Sequence, residues 1–594
     1  MNLRLFCKRA AGVLLALSVC VGAMPAVAAR TYDDFDYITS HINLKVPSSL
    51  NIVRPAEDIT TSDSVYFITG TSNPEAELKM DGKTVPNRGS RGSFGILVNL
   101  SNGENTFVFQ QSGRRKSVTI TKGSSTTAPT TKVISSMAPS YDCATTSGST
   151  INLSCTAPAG ASVTAVVGGR KVQLEQVAAA REGVPATFQG KTTAGNVEGT
   201  QDIGKVTYIL NGGTQFQSAG KVFITGQGST LTVSVKNRAA SLYKDEQRST
   251  FIETLKGGAV DTVAEMNSSM YRLSSGGWVY KESMQPLAGQ VSVRNKVSKI
   301  GRGTSDSWRE NGEYYLITGT VNPIYRAYQD QEKLYVRLMH TTGIADQDTS
   351  DWTNGSQLFS GVQVSETDGD TILQFQLSGE RKLWGYSIEY HDGMTSIYAK
   401  YAPKLTSGNQ PLENTVIAVD AGHGGTDPGA IGTAGTDAAM EKDITLATAI
   451  ALQKRLESLG AKVVMCRTGD DDVSMNTRME ITAAKDADLF ISLHCNSIGY
   501  NQDANKPSGT EVYYYEDIAK PLAVRIADTI SEKVGRVNRG GKFSNYRVTL
   551  NTFAPSVLVE MGFLTNPKEY DQMTSRNGIY KTVNAIADSV LAVL

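Results

Sequence analysis

Over the first two thirds of the chain, apolar residues come in short runs and alternations broken by Gly, Asn, Asp and Pro. That pattern predicts strands joined by tight turns. From residue 415 it changes. Solid apolar runs at 416–420, 489–493 and 557–559 are separated by stretches of helical spacing. In one of these stretches Ala447, Ala451, Leu452, Leu456 and Leu459 recur on one face of a helix that begins at Glu441, and Gly460 is its stop signal. Strands alternating with helices predict an α/β parallel sheet covered on both faces. The predicted fold class is therefore multidomain, with all-β N-terminal modules ahead of an α/β parallel-sheet domain over 415–594.

Within the β-rich part, residues 30–121 read as an Ig-like domain. Residues 65–71 are β-branched and aromatic, and Asp81-Gly82 is a strong hairpin signal between 77–80 and 83–85. Residues 122–131, rich in Ser, Thr and Gly, read as a linker. Residues 132–229 form a further β-rich module of no identified type. Residues 230–290 resemble a bacterial SH3-like domain, with Tyr271-Arg272-Leu273 and Gly276-Gly277-Trp278-Val279 among the matching positions. Residues 291–404 make another β-rich module, and 405–414 link it to the last domain. The segment 314–323 echoes 65–74, each ending in Asn-Pro. The echo reads equally as related modules or as one strand-plus-turn solution used twice. The boundary at 415 predicts a last domain that folds without the others.

The N-terminus changes the compartment expected of all this. A basic start, an apolar run from Ala10 to Val21 and Ala26-Val27-Ala28 predict a signal peptide over 1–29. A membrane anchor is the competing reading, but the run is short and Pro25 interrupts the stretch, and no later segment of the mature chain is long and apolar enough to span a bilayer. The full chain carries 58 basic and 58 acidic residues. Residues 1–29 hold Arg4, Lys8 and Arg9 and no acid, so the mature chain has a net charge of −3. That argues against a general nucleic-acid binder, which wants a basic footprint. Six cysteines become four once Cys7 and Cys20 leave. In an oxidising compartment Cys143 and Cys155 could pair; Cys466 and Cys495 read equally as a pair or as buried thiols.

Four residues carry the candidate chemistry: His423, Glu441, His494 and Glu560. Three follow predicted strands, and groups at the carboxyl ends of parallel strands meet at one ligand-binding rim. Two His and one carboxylate with an open position form the ligand set of a catalytic zinc site, which leaves a second carboxylate free to act as a base. Glu441 alone would read as an acid favouring a helix N-terminus. The other histidines, His41, His340 and His391, lie among β modules and read as packing or surface residues. Gly422, Gly424 and Gly425 allow a tight turn beside the site. Asp420 could orient a ligating His or cap the loop, Asn496 could donate to substrate, and Arg478 reads as a packing or ion-pair residue. The connection 496–508 is short, polar and broken by Pro507.

Residues 417–425, Glu441, 467–470, 492–496 and 558–567 together resemble the zinc-dependent N-acetylmuramoyl-L-alanine amidases of bacterial cell walls. The resemblance covers about the last third of the chain. It implies Zn2+ held by His423, Glu441 and His494, with Glu560 as the catalytic carboxylate. It also implies hydrolysis, by zinc-activated water, of the amide between the lactyl group of N-acetylmuramic acid and L-alanine of the stem peptide. Cys495 stands where a small alanine-like residue is common. Peptidoglycan is the expected partner, with β modules that bind wall glycan or peptide, and the expected location is secreted and wall-associated, or else periplasmic. A zinc peptidase cutting within stem peptides, and a non-catalytic wall-binding or adhesive protein, are the alternatives.

Overall fold

The computed structural model describes residues 35–123, 132–180, 185–303, 311–391 and 393–594. The predicted signal peptide and nearly all of the linker at 122–131 lie outside the described residues. Residues 34–594 form one compact unit.

Up to residue 401 the described residues form short strands joined by turns, with helical segments only at Phe35–His41, Lys281–Ser283 and Ser350–Thr353. Residues 51–122 form a three-stranded and a five-stranded sheet around a core that includes Ile68, Phe94, Phe109 and Ile120. The hairpin at Asp81-Gly82 forms as expected, with Lys79–Met80 paired to Lys83–Thr84 and both turn residues at positive φ. Residues 143–225 make a seven-stranded sheet, residues 232–287 another, and residues 299–401 two four-stranded sheets with Tyr315, Phe375 and Trp352 in their core. Cys143 and Cys155 lie on strands at opposite ends of the second block's hydrogen-bonded order, and both are free thiols. Cys466 and Cys495 are also free, because they belong to apolar clusters on opposite faces of the last sheet. Among the described residues no helix is long and apolar enough to cross a membrane.

The C-terminal sheet holds strands β1 (Val416–Ala421), β2 (Lys462–Met465), β3 (Leu489–Asn496), β4 (Thr510–Tyr514), β5 (Asn538–Phe543) and β6 (Ser556–Phe563), in the order β2-β1-β3-β6-β4-β5. The first four in that order are mutually parallel, as the apolar runs predicted. The sheet as a whole is mixed, which corrects the all-parallel expectation: β4 runs antiparallel to β6, and β5 is parallel to β4. The cause is the connection. A parallel neighbour needs a crossover, usually a helix. Residues 497–509 between β3 and β4 contain no helix, so the chain comes back in the opposite sense. Between β4 and β5 the helix α4 (Lys520–Ile530) supplies the crossover.

Helices α2 (Glu441–Ser458), α4 and α6 (Arg576–Val593) cover one face of this sheet, with α5 (Pro567–Met573) packed beside β6 and α6; α3 (Met475–Ala484) lies on the other. The first face is completed from the far end of the chain. Helix α1 (Phe35–His41) and the residues after it place Ile38, Ile42 and Leu44, each at most 6% exposed, in the same apolar cluster as Leu452, Ile526 and Val583. Asn43 Nδ2 donates to the Asp437 carbonyl at 3.1 Å. The boundary at 415 therefore leaves part of the core outside the last domain. The fourth β block packs on the sheet as well: Trp384 Nε1 donates to the Asp488 carbonyl at 2.6 Å, and buried Lys400 pairs with Asp486 and Asp488.

Candidate active site

The site lies at the carboxyl ends of β1, β3 and β6. Strand β1 ends at Ala421. Gly422 follows, where a Cβ would come within 2.4 Å of the His494 ring, and His423 adopts a left-handed φ of 61°. Such a backbone is uncommon for a non-glycine residue and needs external support. Arg478 and Arg467 supply it. Arg478 Nη2 donates to the His423 carbonyl at 2.8 Å, and Arg467 Nη2 to the Gly422 carbonyl at 3.0 Å. Arg478 also forms a buried ion pair with Asp420, whose other oxygen accepts from Ser492 Oγ at 2.7 Å. Asp420 thus anchors the strand end and holds no histidine. The carboxylate that does so is Asp427, 2.7 Å from His423 Nδ1. It lies four residues beyond His423 in the glycine-rich loop, a His-x-x-x-Asp spacing that the sequence displays.

His423, Glu441 and His494 come together, with one donor atom from each within 4.8 Å of the others. Glu441 Oε1 lies 3.2 Å from His423 Nε2 and 3.2 Å from His494 Nδ1. The two rings are 5.0 Å apart at 76°. Glu441 opens α2, and its carboxylate accepts the Cys495 N–H at 2.9 Å and the Ala430 N–H at 2.8 Å. Burial works to raise its pKa, but the two histidines outweigh burial and hold it well below the usual carboxylate range. Burial works to lower the His423 pKa; the carboxylates of Glu441 and Asp427 outweigh it and raise the group to about 9.

Glu560 sits within β6, in register with His494 on β3 and with Glu511 on β4. Burial pushes its carboxyl up to about 7, aided by Glu441 and Glu511 and opposed by His494 and His423. Its Oε2 is buried without a hydrogen-bond partner among the described residues. Glu511, which the sequence reading did not single out, is the opposite case. It accepts from Asn496 Nδ2, Tyr513 Oη and Arg539 Nε, each at 2.7 Å, and from Lys542. Burial works to raise its pKa, but these partners lower it to about 2. Nothing in the sequence around Glu511 marks it, because its partners come from three separate elements. Asn496 Nδ2 spends one of its two hydrogens on Glu511. His340 pairs with Asp261 at 3.1 Å, in keeping with a packing role.

Two imidazoles and a carboxylate converging over the carboxyl rim of a helix-covered sheet make a donor set able to hold a divalent metal, with an unpaired carboxyl alongside. That is the outline of a metal-assisted hydrolase. Residues 417–592 match the model of the N-acetylmuramoyl-L-alanine amidase family. The uncharacterized protein YqiI of Bacillus subtilis (strain 168) is 35% identical over 185 residues, covering 30% of this chain and 85% of that protein. The probable cell wall amidase LytH of Staphylococcus aureus is 37% identical over 164 residues, covering 28% of this chain. The chain spans 53% of the length of LytH. Among solved structures, the catalytic domain of the amidase CwlV from Bacillus (Paenibacillus) polymyxa var. colistinus is 29% identical, covering 30% of this chain and 97% of that one, with a TM-score of 0.28. The amidase AmiC2 of Nostoc punctiforme is 32% identical, covering 30% and 96%, also at 0.28. The chain belongs to the N-acetylmuramoyl-L-alanine amidase family through its C-terminal domain.

Proposed function

We propose that this protein is a secreted, wall-associated peptidoglycan amidase that cuts the amide between the lactyl group of N-acetylmuramic acid and L-alanine of the stem peptide. We assign Zn2+ to His423, Glu441 and His494, and the general base to Glu560. The observation that carries the assignment is the convergence of the three donors beside a carboxyl whose buried oxygen has no partner. When bound, zinc supplies Lewis acidity to the scissile carbonyl and to water. The protein's own residues do the rest. Asp427 fixes the His423 ring through Nδ1, which leaves Nε2 facing the site. The Cys495 and Ala430 amides fix both oxygens of Glu441. Glu560 takes a proton from the attacking water as its oxygen bonds to the carbonyl carbon. It returns that proton to the stem-peptide nitrogen as the C–N bond breaks. A pKa near 7 suits a group that must accept and then donate.

The β blocks fit the same reading. We assign an Ig-like fold to the sheets within 51–121, an SH3-like fold to 230–290, β-rich modules to 132–229 and 291–404, linkers to 122–131 and 405–414, and the enzyme domain to 415–594 completed by residues 35–44. These blocks would engage wall glycan or peptide. Digestion of purified sacculi tests the function: the expected product is free stem peptide with a new N-terminal alanine. New termini within the stem peptide would instead mark a peptidase, and a zinc-loaded chain with no turnover a binding protein. For the metal, we expect one zinc in the mature chain and its loss in His494→Ala. Full occupancy in that variant refutes the ligand set.

A further inference from the structure

The loop at 497–509 leaves β3 just after His494 and Asn496, and the first β block grips it from outside. The Arg54 guanidinium lies 3.7 Å over the Tyr500 ring. The Phe67 N–H donates to the Tyr500 carbonyl at 2.7 Å, and Asn505 Nδ2 donates to the Gly95 carbonyl at 3.2 Å. On its inner side Tyr500 Oη donates to the Ile431 carbonyl at 2.9 Å. The next residue back, Ala430, brackets Glu441 with both backbone groups: its N–H donates to Glu441 Oε2 at 2.8 Å, and its carbonyl accepts the Glu441 N–H at 3.0 Å. The segment has no slack. Gly429 is at φ +65°, and a Cβ there would come within 2.6 Å of Glu441 Oε2 and 2.7 Å of His423 Cδ2.

We infer that Tyr500 is a positioning residue for the Glu441 carboxylate, and that Arg54 and Phe67 of the first β block hold it in place. The inference rests on the reading of Glu441 as a metal ligand. The path is continuous: a cation over a ring fixes the ring, the ring's hydroxyl fixes a carbonyl, and the adjacent amide fixes a ligand oxygen. Groups that orient metal ligands typically affect metal affinity 10–100-fold when lost. The first block would then support the site itself, beyond any part it plays in holding the enzyme to a polymer. Its removal should weaken metal binding even where no polymer is present.

The test uses the full mature chain. Tyr500→Phe keeps the ring beneath Arg54 and removes only the hydroxyl. Zinc affinity is measured by competition with a chelator, the ligand field by the visible spectrum of the Co2+-substituted protein, and packing by thermal unfolding of the metal-free chain. We expect Tyr500→Phe to raise the zinc Kd about 10-fold, to alter the Co2+ spectrum and to leave metal-free unfolding unchanged. Arg54→Ala should shift affinity the same way, and Arg54→Lys should restore it. A Tyr500→Phe chain with unaltered zinc Kd and Co2+ spectrum overturns the inference. So does an affinity loss fully matched by a fall in metal-free stability, since that is packing alone. A wild-type chain that takes up no zinc overturns the metal assignment itself, a result distinct from a zinc-binding chain indifferent to Tyr500.

Discussion

Glu560 and Glu511 are neighbours across one strand pair, yet they have opposite fates. Glu511 is surrounded by four donors and stays ionised, while Glu560 keeps a buried oxygen with no partner. An unmatched polar atom of this kind is costly unless something else uses it. On the mechanism proposed above, that use is proton transfer. Glu560→Gln should therefore keep zinc and lose turnover by about 10²-fold or more, checked by metal content and by the rate of alanine-terminus release. Near-normal turnover would remove Glu560 from the chemistry, and loss of zinc would make it a ligand. The sequence displays His423, Glu441, His494 and Glu560 because three of them end apolar strand runs and the fourth opens a helix. Asp427 and Glu511 escape that reading because neither follows an apolar run: the His-x-x-x-Asp spacing displays Asp427 locally, whereas Asn496, Arg539 and Lys542 reach Glu511 only through tertiary structure.

At the level of elements, the runs of β1, β3 and β6 are readable because strands buried on both faces are continuously apolar. The reversal of β4 is not written in its own residues; it follows from the helix-free connection before it. Packing between blocks is equally hidden, and the strand Phe251–Lys256 shows the result. Glu253, 5% exposed, faces the fourth β block and accepts the Ala327 N–H at 2.9 Å. Burial pushes its carboxyl from 4.5 up to about 7, against the pull of the Ala327 and Thr254 amides and of Arg326 and Lys256. Glu516 beside β4 is also raised to about 7, by burial and then by Glu253. A carboxyl whose pKa is raised on folding stays protonated in the folded chain after the unfolded chain has ionised. Its contribution is complete below pH about 4.5 and is lost as the pH rises to about 7. For Glu253 the loss approaches about 3 kcal/mol. The wild-type melting temperature should fall between pH 5 and pH 7.5, and that fall should shrink in Glu253→Gln. An identical pH profile in the two proteins would show that Glu253 does not titrate in this window.

Across the whole molecule, residues 35–47 and the enzyme domain form one structural unit although several hundred residues separate them. A boundary at 415 is natural in the sequence, where the pattern turns from β to α/β, but burial does not respect it. Ile38, Ile42 and Leu44 fill the helix-covered face of the sheet, and Val53 lies where a Cβ on Gly435 would come within 1.8 Å of it. Arg91 donates through its backbone to Asp571 at 2.6 Å and through its side chain to the Thr574 carbonyl at 2.6 Å. Burying three such aliphatic side chains contributes about 6 kcal/mol, comparable with the stability of an entire domain. A chain reduced to residues 411–594 should therefore melt well below the mature protein, by more than about 10 °C on the usual relation between free energy and melting temperature. Joining residues 35–47 to it should recover much of the difference, because the apolar surface of α2 and α6 would again be covered. Circular dichroism melts of the three proteins, all metal-free, measure this directly. Coincident melts for 411–594 and the version carrying 35–47 would show that the enzyme domain needs no help from the N-terminus, and that α1 rests on a core already complete without it.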